Sequence, residues 1–240
     1  MKYNRVPSST FASPIAAIFT LGLVVVLAGC ALRSRESITY HVFDYPTPAK
    51  ENKPPIPGTL MVYRFIPASS VDINSLVVTR SSGSKQSVML HRWEENPADM
   101  ITDLVVRDLE NFELFEKTVD QLSTVRYRYA LEATIRKLQG NITDGKASAL
   151  LEVEATLTDF EAPAGGEKTL LKKDYKIEIP SQDTSSNSII KALDLAVKKL
   201  SEDLRADIRV AVEPKVPHQP KKVPRNRRAR RSRISIDGRK

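Results

Sequence analysis

The chain has 240 residues, of which 41% are hydrophobic, a formal net charge of +8 at pH 7 and one cysteine, Cys30. A single thiol excludes an intramolecular disulfide, so a hydrophobic core must hold the fold together. Residues 214–240 contain eleven Lys or Arg and one acidic residue, whereas residues 31–213 contain 24 basic and 28 acidic residues. A mildly acidic body with a basic tail argues against a folded nucleic-acid-binding domain.

Residues 1–29 have the organisation of a lipoprotein signal peptide. Lys2 and Arg5 precede the uncharged run 15–29, which is shorter than the roughly 20 apolar residues of a membrane-spanning helix. The run leads into the sequence LAGC at residues 27–30, which closely resembles the bacterial lipobox. The alternative interpretation is a short membrane anchor or a buried helix with an incidental cysteine.

The lipobox resemblance implies signal cleavage between Gly29 and Cys30, a diacylglycerol on the Cys30 thiol and an acyl chain on the new amino group. More than one acyl chain gives stable membrane anchoring. Residue 31 is Ala and not Asp, which by the sorting rule of enterobacterial lipoproteins favours the outer membrane over the inner membrane. Apart from this covalent lipid, we expect no cofactor.

Residues 30–58 are predicted to form a lipidated tether, because the sequence YPTPAKENKPPIPG at 45–58 has too many prolines for a helix or an inner strand. Within the tether, Thr39–Phe43 have the composition of a short first strand. A folded domain is expected over residues 59–213, and it opens with several short β-type runs.

A helix is predicted to begin at Asn96, which can cap it, with Pro97 in the first position and Asp99 in the first turn. A second helix is predicted over residues 186–209 from its apolar spacing. Strict alternation of apolar and polar residues predicts strands with one covered face, joined by hairpins, at 125–136, 149–158 and 171–179. The predicted fold class is α+β, with a mainly antiparallel sheet and two helices packed on one face.

Several stretches in this order resemble the ABC-type transport auxiliary lipoproteins, a PqiC-like family. They are TYHVFDYP at 39–46, LMVYRFIPASSVDINSLVVTR at 60–80, HRWEENPADMITDLVVRDLENF at 91–112, RYRYALEATIRKLQ at 126–139, ALLEVEATLTDF at 149–160 and IIKALDLAVKKLSEDL at 189–204. The resemblance implies a non-enzymatic periplasmic component of a lipid transport system, in which MCE-domain proteins extend from an inner-membrane ABC transporter. The auxiliary lipoprotein would dock on the far end of that bridge, as a single copy or as a homo-oligomeric ring.

The sequence offers no catalytic, cofactor-binding or metal-binding motif. The chain has three histidines, no Cys/His cluster and no G-x-S-x-G sequence, so neither a metal site nor a hydrolase triad is predicted. Trp93 is the only tryptophan, and its expected role is a core anchor or, as the second interpretation, a partner contact.

Residues 214–240 are predicted to form a disordered, Pro-rich and polybasic tail. The simplest interpretation is a solvated tail without a binding role. The functional alternative is attraction to anionic lipid or lipopolysaccharide, since a basic residue near an anionic membrane contributes roughly 1 kcal/mol. The residues expected to carry this binding are Arg225, Arg227, Arg228, Arg230, Arg231 and Arg233.

Three functions follow from these features. The first is a lipid-anchored accessory subunit of an ABC/MCE-type lipid transport system, which acts by binding and bridging to the outer membrane. The second is a structural envelope lipoprotein that binds cell wall or lipopolysaccharide through its basic tail. A lipid-anchored hydrolase is the third, and the lack of a recognisable catalytic site disfavours it.

Overall fold

A computed structural model of the protein describes residues 37–162 and 165–213. These residues form strands and helices that we number in chain order. The strands are β1 (Thr39–His41), β2 (Ile56–Val62), β3 (Ile66–Pro67), β4 (Ser75–Arg80), β5 (Lys85–Trp93), β6 (Phe115–Asp120), β7 (Tyr129–Thr143), β8 (Lys146–Asp159) and β9 (Lys168–Pro180). The helices are α1 (Pro97–Asn111) and α2 (Ser186–Val212). The α+β fold class is therefore confirmed.

The long strand β7 organises a single sheet. Along one edge β7 pairs antiparallel with β8, which pairs antiparallel with β9. Along its other edge β7 pairs in parallel with β2, β3 and β4 in turn. The sheet continues from β2 to β6 and from β4 through β5 to β1. Because only the β4–β5, β7–β8 and β8–β9 pairs are antiparallel, the sheet is mixed.

Both helices pack on the sheet where the sequence pattern predicts covered positions. In α1 the Asn96 side chain accepts a hydrogen bond from the Ala98 N–H, and Pro97 begins the helix. Ser185 caps α2 by accepting from the Ser188 N–H. A cap of this kind contributes about 1 kcal/mol. In the described part of the chain, neither helix combines the length and the hydrophobicity of a membrane-spanning helix.

The β7–β8 hairpin turns through Asp144 and Gly145, which have φ values of 51° and 74°. Left-handed values at both central residues define the tight turn in which Asp-Gly is favoured. Gly140, which lies between the predicted strands 125–136 and 149–158, belongs to β7 and pairs with Ala149. The hairpin is thus tighter, and its strands longer, than the sequence predicts.

The Pro-rich segment lies against both helices. We call residues 43–55 the strap, since they run from β1 to β2 across the outside of α1 and α2. Its first part is buried through Phe43 and Tyr45. Its last part is held by Arg209 of α2, whose Nη1 donates to the Pro54 carbonyl oxygen at 3.0 Å and whose Nη2 contacts Glu51 at 2.7 Å.

Candidate partner-binding site

Three aromatic side chains form a partly exposed cluster, which we call the aromatic patch: Tyr63, Tyr127 and Phe160. The Tyr63 and Tyr127 hydroxyl oxygens are 2.7 Å apart, and their rings meet edge to face with centroids 6.3 Å apart. The Phe160 ring meets the Tyr127 ring edge to face with centroids 5.9 Å apart, and 42% of the Phe160 surface is exposed. Aromatic groups held rigidly at a surface are typical anchors of protein interfaces.

Backbone pairing at the end of the sheet positions the aromatic patch. Tyr63 follows β2 and donates its backbone N–H to the Leu131 carbonyl oxygen at 3.0 Å. Phe160 follows β8 and donates its backbone N–H to the Arg128 carbonyl oxygen at 2.9 Å. Because these residues come from three separate segments, only the folded sheet brings the rings together.

A partly buried ion pair supports this end of the sheet. The Arg128 guanidinium donates to both carboxylate oxygens of Asp159, with both distances 2.9 Å. Hydrogen bonding from Arg128 lowers the pKa of Asp159, so the pair stays charged well into the acidic range. Asp159 also accepts the Glu161 N–H at 2.9 Å and so fixes the turn that carries Phe160.

Further apolar side chains lie close to the aromatic patch along the sequence. Leu122, with 83% of its surface exposed, and Val125 lie in the loop between β6 and β7 that leads into Tyr127. Arg126 in the same loop forms an exposed ion pair with Glu161 at 3.2 Å. The hydrogen bond to Tyr127 raises the pKa of Tyr63, so the Tyr63 hydroxyl remains protonated at neutral pH. The surface therefore offers an apolar centre with a mixed-charge rim, as protein interfaces commonly do.

The aromatic patch lies at the end of the fold away from where the chain enters it. Near the other end of β7, Arg80 of β4 pairs with Ile142. The returning strand β5 pairs its Arg92 with Ser75 of β4 and with Tyr40 of β1. β5 and β4 separate β1 from β7, and Tyr40 lies level with the middle of β7, roughly 20 to 30 Å from the patch at about 3.3 Å per residue along the strands.

The residues singled out from the sequence are spread over the molecule. Trp93 has 3% of its surface exposed and packs on Phe43 with ring centroids 4.5 Å apart, which is the position of a core anchor. Its indole is not part of the exposed surface. Cys30, Gly29 and the basic tail that includes Arg225 lie outside the described residues. The other arginines expected to bind anionic lipid also lie outside the described residues: Arg227, Arg228, Arg230, Arg231 and Arg233.

Two histidines that the sequence left without a role form a contact. His41 Nε2 and His91 Nδ1 are 2.9 Å apart, and the imidazole rings stack with centroids 5.1 Å apart. Burial and the neighbouring His91 lower the pKa of His41. Within residues 37–162 and 165–213, no group of three or more His, Cys, Asp or Glu is arranged to hold a metal ion.

Sequence reasoning did not find the aromatic patch. Tyr127 reads as one more member of an alternating strand, and Phe160 reads as the end of the next strand. The available signal was that both aromatics fall at strand ends, where a side chain need not enter the core. Nothing in the pattern indicated that Tyr63 would join them.

Comparison with known proteins places this fold in a family. A solved structure of a Xanthomonas campestris protein of family DUF330 is 18% identical, covers 72% of this chain and 95% of its own, and superposes with a TM-score of 0.63. A second, uncharacterized protein is 14% identical, with coverages of 72% and 99% and a TM-score of 0.54. Both similarities show the fold alone, and comparison with curated protein sequences gave no match. The model of the ABC-type transport auxiliary lipoprotein component matches residues 42–205, and the chain belongs to that family.

Proposed function

We propose that the protein is a lipid-anchored periplasmic accessory subunit of an ABC/MCE-type lipid transport system. It is held at the outer membrane by acylated Cys30 and binds an MCE-domain protein through the aromatic patch. The observation that carries the proposal is the position of this partly exposed patch near the start of β7, away from the half of the sheet where the chain enters. Anchored at the entry end, the domain presents Tyr63, Tyr127 and Phe160 away from the membrane, toward a partner.

This role requires binding and no catalysis. The family is auxiliary to transport, and a rigid aromatic surface supplies affinity by burying apolar area around a few anchor residues. The Arg126–Glu161 pair at the rim would adjust orientation and association rate more than affinity.

Co-purification tests the proposal directly. A tagged, lipidated full-length protein should recover the MCE-domain protein from detergent-solubilised membranes of the same cells. Tyr127→Ala together with Phe160→Ala should lower that recovery at least tenfold, since central aromatic anchors typically cost 2 kcal/mol or more when truncated. Leu195→Ala, which truncates an exposed side chain on α2, is the matched control and should leave recovery unchanged.

Thermal melting of each variant separates loss of binding from loss of folding. Wild-type protein that recovers no MCE-domain protein would count against the transport role. Full recovery by the folded double variant would instead remove the aromatic patch as the docking site.

A structural envelope lipoprotein that binds anionic polymer or lipid through its tail is the second candidate. It is supported by the charge of residues 214–240 and by the position of Glu213, which lies in a groove of about 650 Å³ together with Arg128 and Asp159. Glu213, the last described residue, thus lies at the same end as the aromatic patch. Deleting residues 214–240 should weaken salt-sensitive binding to anionic vesicles, and unchanged binding would exclude this role.

A further inference from the structure

The edge strand β1 and the residues that flank it expose an apolar stripe. Ile38, Tyr40 and Val42 are between 42% and 60% exposed. We call these three residues the edge stripe. Because side chains alternate along extended backbone, these three project from one face. On the other face Phe43 is buried and His41 is partly buried, while Thr39 is exposed. β1 pairs with β5 along one edge, and its other edge has no strand partner among the described residues.

The surroundings of the edge stripe combine aliphatic, aromatic and basic groups. Tyr40 lies in register with Arg92 of β5, and Met89 in the irregular part of the same strand is also largely exposed. No acidic residue occurs between Ser37 and Phe43, and the nearest acidic side chains are Asp44, which follows, and Glu94, whose N–H donates to the His41 carbonyl oxygen. Tyrosine, aliphatic side chains and arginine together are the composition favoured at the boundary between lipid headgroups and acyl chains.

The position of the edge stripe in the chain restricts what can cover it. Ser37, the first described residue, follows Cys30 by seven residues. Seven extended residues span at most about 25 Å. When the acyl chains on Cys30 are in a bilayer, β1 therefore remains close to that membrane, while the aromatic patch can lie farther away.

We propose that the edge stripe seats β1 in the interfacial layer of the membrane that holds the lipid anchor. This second, non-covalent contact sets the orientation of the domain, with the aromatic patch facing away from the lipid. The proposal rests on the anchoring at Cys30 but not on the identity of the partner. The occupant is a phospholipid surface, and a second copy of the chain or a transport partner are the competing occupants.

Depth-dependent fluorescence quenching tests the occupant. Because Cys30 is consumed by acylation, Tyr40→Cys in the lipidated full-length protein provides a single thiol for a polarity-sensitive label. The labelled protein is reconstituted into phosphatidylcholine vesicles containing lipid brominated on its acyl chains, in 0.5 M salt to screen the basic tail. Leu195→Cys, an exposed position on α2, is the matched control.

We expect the label at position 40 to be quenched several-fold more than the label at position 195, with a blue-shifted emission. Equal and weak quenching at both positions in vesicle-bound protein would overturn the proposal. So would a signal at position 40 that changes with protein concentration instead of lipid bromination, because a second copy would then cover the stripe.

Two further arms separate this proposal from the docking function. Adding Tyr127→Ala should leave the quenching at position 40 unchanged even where it abolishes partner binding. Protein that fails to float with the vesicles would refute the lipid anchor and, with it, the interfacial seat of β1.

Discussion

Asp194 on α2 is a buried carboxyl with an incomplete set of partners. It accepts a hydrogen bond from the backbone N–H of Asp44 in the strap, while its Oδ1 has no partner. Burial raises the pKa of Asp194 to about 7, and the hydrogen bond from Asp44 offsets only part of this. The pKa in the folded state is therefore well above the ordinary value of 3.8, so the folded state retains a proton that the unfolded chain releases.

This shift predicts the effect of Asp194→Asn on stability. A raised folded-state pKa means that stability is full at low pH and falls as the pH rises from about 4 to about 7. The amide accepts the same N–H bond and has no charge to desolvate. The melting temperature of the variant should exceed that of wild type by several degrees at pH 8, and the difference should vanish near pH 4. A difference that is constant with pH would contradict the raised pKa.

A second carboxyl, Asp108 of α1, is buried with its partners in place. Its Oδ2 accepts from the Tyr45 hydroxyl at 2.9 Å and from the Ser201 hydroxyl at 2.6 Å, and its Oδ1 accepts from Arg107 at 2.8 Å. Burial and then the nearby Asp108 carboxylate raise the pKa of Tyr45. One carboxylate thus joins the strap to both helices.

Removing the Tyr45 hydroxyl tests this junction. Tyr45→Phe leaves a buried carboxylate with one donor fewer, which should lower the free energy of unfolding by about 1–3 kcal/mol. The measurement is urea denaturation followed by circular dichroism. Tyr40→Phe, at an exposed position, is the control and should change the unfolding free energy by less than about 0.5 kcal/mol.

At the scale of elements, the close approach of α2 to β7 depends on Gly140. A Cβ at this position would lie 2.8 Å from Cγ2 and 3.2 Å from Cδ1 of Ile189. Isoleucine is stiff at its branched Cβ, so the helix cannot avoid the contact by a simple rotamer change. The glycine is required here for space between a strand and a helix.

Gly140→Ala should therefore destabilise the protein by about 1–3 kcal/mol through overpacking. Ile189→Ala alone should cost about 2–5 kcal/mol by leaving a cavity. In the double variant the alanine methyl enters that cavity, so the combined loss should be smaller than the sum of the two. Additive losses in this double-mutant cycle would show that the two sites do not contact.

Elements whose cause is local could be predicted from the sequence. The start of α1 follows from Asn96, Pro97 and Asp99, which act within a single turn, and the structure confirms it. The parallel pairing of β2, β3 and β4 with β7 could not be predicted. Period-two alternation reports that one face of a strand is covered, and it contains no information on the direction of the neighbouring strand.

The candidate site was less predictable than the fold. The aromatic patch joins Tyr63, Tyr127 and Phe160 from segments up to 97 residues apart, and no local pattern encodes that contact. Trp93 drew attention because it is the only tryptophan, yet its ring packs on Phe43 under β1. The position of an aromatic residue at a strand end therefore predicts its exposure better than the rarity of its residue type does.

At the scale of the whole molecule, the fold has two ends with different expected partners. The chain enters the fold at β1, beside β5, whereas the aromatic patch and Glu213 lie toward the other end of β7. With Cys30 acylated, this arrangement would place one end on lipid and the other on protein or anionic polymer.

Replacing Cys30, the residue expected to be acylated, tests whether one end of the fold is anchored to lipid. Cys30→Ser should abolish signal cleavage and metabolic labelling with fatty acid, because serine cannot replace the thiol in the lipidation step. Ala31→Asp is the matched variant: it should remain acylated but fractionate with the inner membrane. A Cys30→Ser protein that is still processed and membrane-bound would refute the lipoprotein interpretation.

The parallel pairing of β1 with β5 also has a mechanical meaning. Traction on the chain before Ser37 pulls β1 along its own axis, so its ladder with β5 is loaded in shear and its hydrogen bonds resist together. If the ladder separates, the packing of Phe43 on Trp93 bears the load next, followed by the Tyr45–Asp108 hydrogen bond. A domain pulled between a bilayer and a transport partner would thus yield first at the three-residue strand β1, while the sheet that carries Phe160 stays intact.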